Sequence, residues 1–151
     1  MEWGTVPSTG SRTDPFVTFR FEVRIDDLSV GGFSDCSGLT VETEFFDYPE
    51  GGLNDHLHRF PGRSRQQNLV LKRGIVDRVL WDWHDDLVRG TVQFRNGTVV
   101  VRDPSGSLTP MRFEFRRALP IKWTGPELSA SASAVAVESI ELAHHGLERQ
   151  D

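Results

Sequence analysis

The side chains able to do chemistry fall into a few short clusters. Asp55-His56-Leu57-His58 places two imidazoles and a carboxylate within four positions, the donor types that hold zinc. A zinc site also needs a distant third ligand at defined spacing, and none stands out, so these residues read as solvated loop groups. His84-Asp85-Asp86 offers an acid–base cluster, but its spacing puts it on the exposed face of a helix. His144-His145-Gly146 reads as a strand end, and Cys36, with no base beside it to make a nucleophile, as a small loop residue. Gly31-Gly32 and Gly51-Gly52 lack the spacing and the following helix of a phosphate-binding loop. Trp81, Trp83 and Trp123 could form a stacking platform for a sugar or peptide, although core and interface packing is the ordinary use of such rings. These residues point to no enzyme, no metal and no cofactor.

Bulk properties fit one domain. The chain has 151 residues, a hydrophobic fraction of 37% and a net charge of -5. That length gives a sizeable single core, and the acidic balance disfavours a generic nucleic-acid binder. No apolar run reaches the length of a membrane span. The opening MEWGTVPSTGSRTD has neither a basic start nor an apolar stretch, so no signal peptide is expected. Cys36 is alone, which excludes an internal disulfide.

Residues 1–14, rich in Ser, Thr, Gly and Pro, read as a flexible arm, residues 15–147 as the domain and residues 148–151 as a tail. From Val17 to Ile25 every odd position is apolar and every even one is Thr18, Arg20, Glu22 or Arg24, the period of a strand with one wet face. Residues 39–45 repeat the alternation with Thr40, Glu42 and Glu44 on the polar side. Next comes a long polar segment that ends in Leu69-Val70-Leu71 and Gly74. It reads as a loop with apolar anchors Tyr48, Leu53, Leu57 and Phe60, which need a surface to dock on. Asp77 can cap a helix to about Arg89 with Leu80, Trp81, His84, Leu87 and Val88 at helical spacing, and Gly90 stops it. Strands are expected at 92–94, 99–101 and 111–115, with turns at Asn96-Gly97 and 103–106. The last strand, 134–142, follows a stretch of small Ser and Ala residues and carries a face switch, read as a bulge near Glu138-Ser139. The expected fold is mainly β: an antiparallel sandwich or barrel with one packed α-helix and a long loop.

Several blocks in order resemble the tube protein of contractile phage tails and phage-tail-like injection systems. They are Arg12-Thr13-Asp14-Pro15-Phe16, Gly31-Gly32-Phe33-Ser34, EGGLND with PGR and NLVLKRG, Leu80-Trp81-Asp82-Trp83, PIKWTGP from Pro120, and LAHHGL from Leu142. They span residues 12–147, with Asp27 where a glycine is usual and residues 91–109 rewritten. The resemblance implies six-membered rings stacked as a hollow tube inside a sheath. It also implies partners: the chain itself, the sheath, baseplate, spike and terminator proteins, and a cargo or tape-measure protein in the lumen. On that basis the long loop is expected to reach neighbouring subunits through Tyr48, Glu50, Leu53, Asn54, Leu57, Phe60 and Arg63. Thr18, Arg20, Glu22, Arg24, Thr40, Glu42 and Glu44 are expected to line the lumen, and Ala134 and Ala136 to lie at a subunit boundary. Two alternatives stand beside this: a monomeric β-domain binding module, and the tube protein of type VI secretion.

Overall fold

Alternating burial governs the first strand. β1 (Arg20–Ile25) buries Val23 and Ile25 and leaves Arg20, Glu22 and Arg24 exposed, as a strand on a core requires. The computed structural model describes residues 20–30, 32–49, 57–105, 109–131 and 134–150, so Thr18 and the start of the expected strand lie outside the described residues. The elements that follow are β2 (Asp35–Ser37), β3 (Val41–Pro49), β4 (Leu57–Gln66), β5 (Leu69–Gly74), α1 (Val79–Val88), β6 (Arg95–Arg102), β7 (Met111–Thr124), β8 (Val137–Ala143) and β9 (Gly146–Gln150). Every pairing among them is antiparallel. The main sheet runs β1-β6-β7-β8-β5-β2 with β9 added on β7, while among the described residues β3 and β4 pair only with each other.

The main sheet turns along β7. Its first half pairs with β6 on one side and β9 on the other, and its second half pairs with β8. At the junction Arg117 has φ 50°, and its N–H donates to Asn96 Oδ1 at 2.9 Å. The ladder then slips between Pro120 and Lys122, where a buried proline has no N–H to give. This bend gathers Val23, Ile25, Val99 and Phe115 from one half and Leu69, Leu71, Ile140 and Leu142 from the other into one core. Gly97 is needed there, because a Cβ on it would stand 2.2 Å from Phe115 Cζ.

The helix closes the core with Leu80 and Trp83. Asp77 does serve its start, since Oδ1 accepts the Val79 N–H at 3.0 Å. Gly90, at φ 95°, donates to Leu87 O at 3.1 Å, and Thr91 donates to Asp86 O at 2.8 Å. These are the two bonds of a Schellman stop. The buried face differs from the expected one: Val88 is exposed, and Trp81, 40% exposed, sets its ring edge on Trp123 at 4.7 Å.

Four other expectations are corrected. The supposed long loop is largely strand, with β4 pairing back on β3 to make a ribbon; only its tip, residues 50–56, lies outside the described residues. Cross-strand pairing had no signature there, because β4 is broken by Pro61 and Gly62 and carries no alternation. Residues 92–94 are irregular, and Asn96-Gly97 lies inside β6 at a register shift rather than in a turn. The strand expected at 111–115 runs on to Thr124. β9 carries the sheet on through Gln150.

Candidate functional site

The β3–β4 ribbon is the first surface with something left to do. Phe45, Phe46, Tyr48 and Phe60 are 65%, 59%, 59% and 54% exposed, although Tyr48 and Phe60 meet edge to face at 6.3 Å. Val41, which should have pointed inward, is exposed as well. A two-stranded hairpin with apolar groups on both sides is marginal in water and gains stability only by docking. Its rim carries ion pairs, Arg65–Glu44 at 2.6 Å and Arg59–Asp47 at 3.3 Å. The base of the ribbon is fixed. Gln67 N–H donates to Thr40 O at 3.1 Å, and Gly38, at φ 92°, has no room for a Cβ, which would fall 2.0 Å from Asn68 O. His144 spans the same corner, its Nε2 2.9 Å from Gln67 O and its Nδ1 3.2 Å from Gly146 O.

Of the residues expected to dock, Tyr48, Phe60 and Arg63 are exposed on this ribbon. Leu57 starts β4, while its side chain and the residues Glu50, Leu53 and Asn54 lie outside the described set. His56 and the side chain of His58 lie outside it too. Among the described residues no three His, Cys, Asp or Glu side chains converge to hold a metal. Burial pushes the Cys36 thiol up to about 11, which disfavours the thiolate.

The second surface is the outer face of the four strands β1, β6, β7 and β9. Register places Glu22, Val100, Arg112 and Gln150 in one row, and Arg24, Thr98, Glu114 and Glu148 in the next. Arg24 Nε donates to Glu22 at 3.0 Å, Gln150 Nε2 to Glu114 at 2.8 Å, and Arg116 pairs with Glu148. Side-chain pairing to Arg24 holds the exposed Glu22 carboxyl below its usual range. Arg20, Glu22 and Arg24 therefore share a hydrated, mixed-charge face, but Thr40, Glu42 and Glu44 do not join them. Thr40 precedes the ribbon, and Glu42 and Glu44 lie on it. The β9 contribution was invisible in sequence, because Leu147-Glu148-Arg149-Gln150 is too short and polar to declare a strand.

A third region surrounds the expected boundary strand. Ala134 and Ala136 are exposed and precede β8, and Ala136 O accepts the Ile75 N–H at 2.9 Å. Nearby apolar groups also face water: Leu128 at 86%, Val135 at 80%, and Ile121 and Val137 to a lesser degree. Val135 and Val137 line a groove of about 430 Å³ bordered also by Lys72, Thr124 and Ser139. The expected bulge at Glu138-Ser139 is absent, as β8 pairs with β5 without a break. What looked like a face switch is an inward-pointing charge. Glu138, 1% exposed, accepts Arg73 Nε at 2.7 Å and Trp123 Nε1 at 3.0 Å. Arg73 also donates Nη2 to Asp77 at 2.6 Å, which ties β5, β7, β8 and the helix start together. Sequence phase could have found it: Arg73 is in step with Leu69 and Leu71, and Glu138 with Ile140 and Leu142.

A family model described as T4-like virus tail tube protein gp19 matches residues 17–148. None of the curated proteins matches the chain. Among solved structures, the PVC sheath–tube complex of an extracellular contractile injection system in the extended state is similar at 25% identity and TM-score 0.80, covering 90% of this chain and 91% of that one. The tube-terminating cap of the anti-feeding prophage is similar in fold at 22% identity and TM-score 0.82, over 93% of both chains. A type six secretion system protein shares the fold more distantly, at 11% identity and TM-score 0.60, over 85% of this chain and 81% of that one.

Proposed function

We propose that this chain, which belongs to the T4-like virus tail tube protein family, builds the inner tube of a contractile injection particle as stacked six-membered rings. The observation that carries the reading is the projecting ribbon, whose four aromatic rings stay more than half exposed on the isolated subunit. Burying such rings against a neighbour removes a surface that a solitary domain would not keep. The sheet of β1, β6, β7 and β9 supports it, because among the described residues its outer edges, β1 and β9, are both unpaired. Joining β1 of one copy beside β9 of the next closes the sheet into a barrel and removes both edges. Stacking ring on ring through the ribbon is a head-to-tail contact, which grows a filament.

Within this reading Arg20, Glu22 and Arg24 face the lumen together with Arg112, Glu114 and Glu148, and Ala134 and Ala136 sit at a subunit boundary. Tyr48, Phe60 and Arg63, with Glu50, Leu53, Asn54 and Leu57, dock on the neighbour. The sheath, a baseplate and spike, and a terminator are the partners outside the ring, with a cargo or tape-measure protein inside. The likeness to chains of a sheath–tube complex and of a tube-terminating cap favours this over a type VI tube. The tube assembles in the cytoplasm, and the chain has no catalytic role. Negative-stain microscopy of the purified protein across concentration tests this. Rings that lengthen into rods are expected, whereas a persistent monomer that titrates a ligand would mean a binding module instead.

A further inference from the structure

We propose that the outer face of β1, β6, β7 and β9 holds an acidic polypeptide by a surplus of unpaired arginines. The inference rests on the lumenal placement of that face given above. The chain as a whole is acidic, at net -5, yet this face carries five arginines (20, 24, 102, 112 and 116) against Glu22, Glu114 and Glu148. Each of the three glutamates is already engaged: Glu22 by Arg24, Glu114 by Gln150 and Glu148 by Arg116. Arg20 and Arg112 have no side-chain partner among the described residues, and Arg102 reaches only the occupied Glu22, at 3.8 Å.

Arg20 and Arg102 are also directly opposite each other in the ladder. Like charges in that position repel, and an anion placed between them relieves the repulsion. They border a recess of about 500 Å³ that Phe21, Glu22, Phe33 and Ser34 complete, Glu22 being already paired with Arg24. A guanidinium pair suits a carboxylate, which accepts two parallel N–H bonds. One observation favours an acidic polypeptide over a nucleic acid: the outward positions of the four strands carry no aromatic ring on which bases could stack, and the Phe21 and Phe33 rings at the recess are packed on the core. Exposed pairs of this kind are individually weak and screened by salt, so retention is reversible, as a cargo that must leave requires.

The test uses rods assembled from the full chain, pelleted with fluorescent polyglutamate, polylysine or a single-stranded oligonucleotide. Ionic strength is raised from about 0.01 M to about 1 M, over which the screening length falls from about 30 Å to about 3 Å. Polyglutamate should co-pellet at the low end and be lost at the high end, and polylysine should not co-pellet. Arg20→Glu with Arg112→Glu should abolish polyglutamate retention and create polylysine retention in unchanged rods. The milder Arg20→Gln with Arg112→Gln should give a partial loss. Equal polyglutamate retention in wild type and variants overturns the proposal, and so does preferential retention of the oligonucleotide. Loss of rods in both variants also overturns it, by placing these arginines at a subunit contact. Placement is read separately by biotin on Arg112→Cys in a Cys36→Ser background. Streptavidin arrayed along the outer wall of the rods would sink the lumenal reading itself, whatever the charge preference.

Discussion

Glu138→Leu should be among the most damaging single changes in this fold, although it replaces a charge with an apolar group of similar size. Arg73 and Glu138 are each 1% exposed, so neither charge can recover hydration when its partner is removed. The substitution deletes the 2.7 Å bond to Arg73 Nε and the 3.0 Å acceptor of Trp123 Nε1. Arg73 Nη1 is already buried without a partner, which leaves the guanidinium with only the Nη2 bond to Asp77. An uncompensated buried charge of this kind costs roughly 3–5 kcal/mol, a large part of the roughly 5–15 kcal/mol that holds a domain together. Arg73→Met with Glu138→Leu removes both charges at once and should restore most of that loss. Urea melts of wild type, both single variants and the double variant, under conditions that keep the protein dissociated, give the coupling directly. A loss below about 1 kcal/mol for Glu138→Leu, or strictly additive losses in the double variant, would refute the view that this pair is buried and mutually dependent.

Three further outcomes follow from the same geometry. Replacing Phe45, Phe46 and Phe60 by Ser should barely change the urea midpoint of the dissociated subunit yet eliminate rods, at roughly 2–3 kcal/mol of lost burial per ring; normal rods on a microscope grid would contradict it. Gly97→Ala puts a Cβ 2.2 Å from Phe115 Cζ and 2.7 Å from Arg24 O, so it should destabilise by roughly 1–3 kcal/mol, read as a lowered melting temperature. The Asp77 carboxyl is held below its usual range, first by the Val79 N–H and then by the Arg73 guanidinium. A depressed folded pKa contributes stability that is full above the unfolded value of about 4 and fades as pH falls through the folded one. Asp77→Asn should therefore flatten the acid limb of stability below about pH 4, and an unchanged limb would remove Asp77 from the account.

Legibility in the sequence followed how strictly one face of each element is buried. β1 declared itself because Val23 and Ile25 alternate with Glu22 and Arg24 over one core. The helix end was readable because Gly90 has a local cause, a left-handed stop that its neighbours' hydrogen bonds complete. Beyond the strand expected at 39–45, the ribbon was misread as loop because its stability is not local: Phe46 and Phe60 face water here, so no inward period marks the rest of β3 or β4. The same reasoning nevertheless singled out Tyr48 and Phe60 as groups needing a surface, and both are exposed. β7 was expected to stop at Phe115 because Arg117 and Pro120 interrupt its pattern where it passes from one half of the sheet to the other. Glu138 was missed because a buried charge reads as a break in alternation until its partner on another strand is known.

The central claim is that the ribbon and the free edges of the charged sheet are used between copies of the chain. A helical reconstruction of assembled rods by electron cryo-microscopy tests it most directly. The account predicts six copies per ring, β1 of each beside β9 of the next, Glu22 and Glu114 facing the bore, and Phe45 and Phe46 buried against an adjacent subunit. Rods in which the ribbon stays in solvent, or in which β1 and β9 face the outside unpaired, would contradict it.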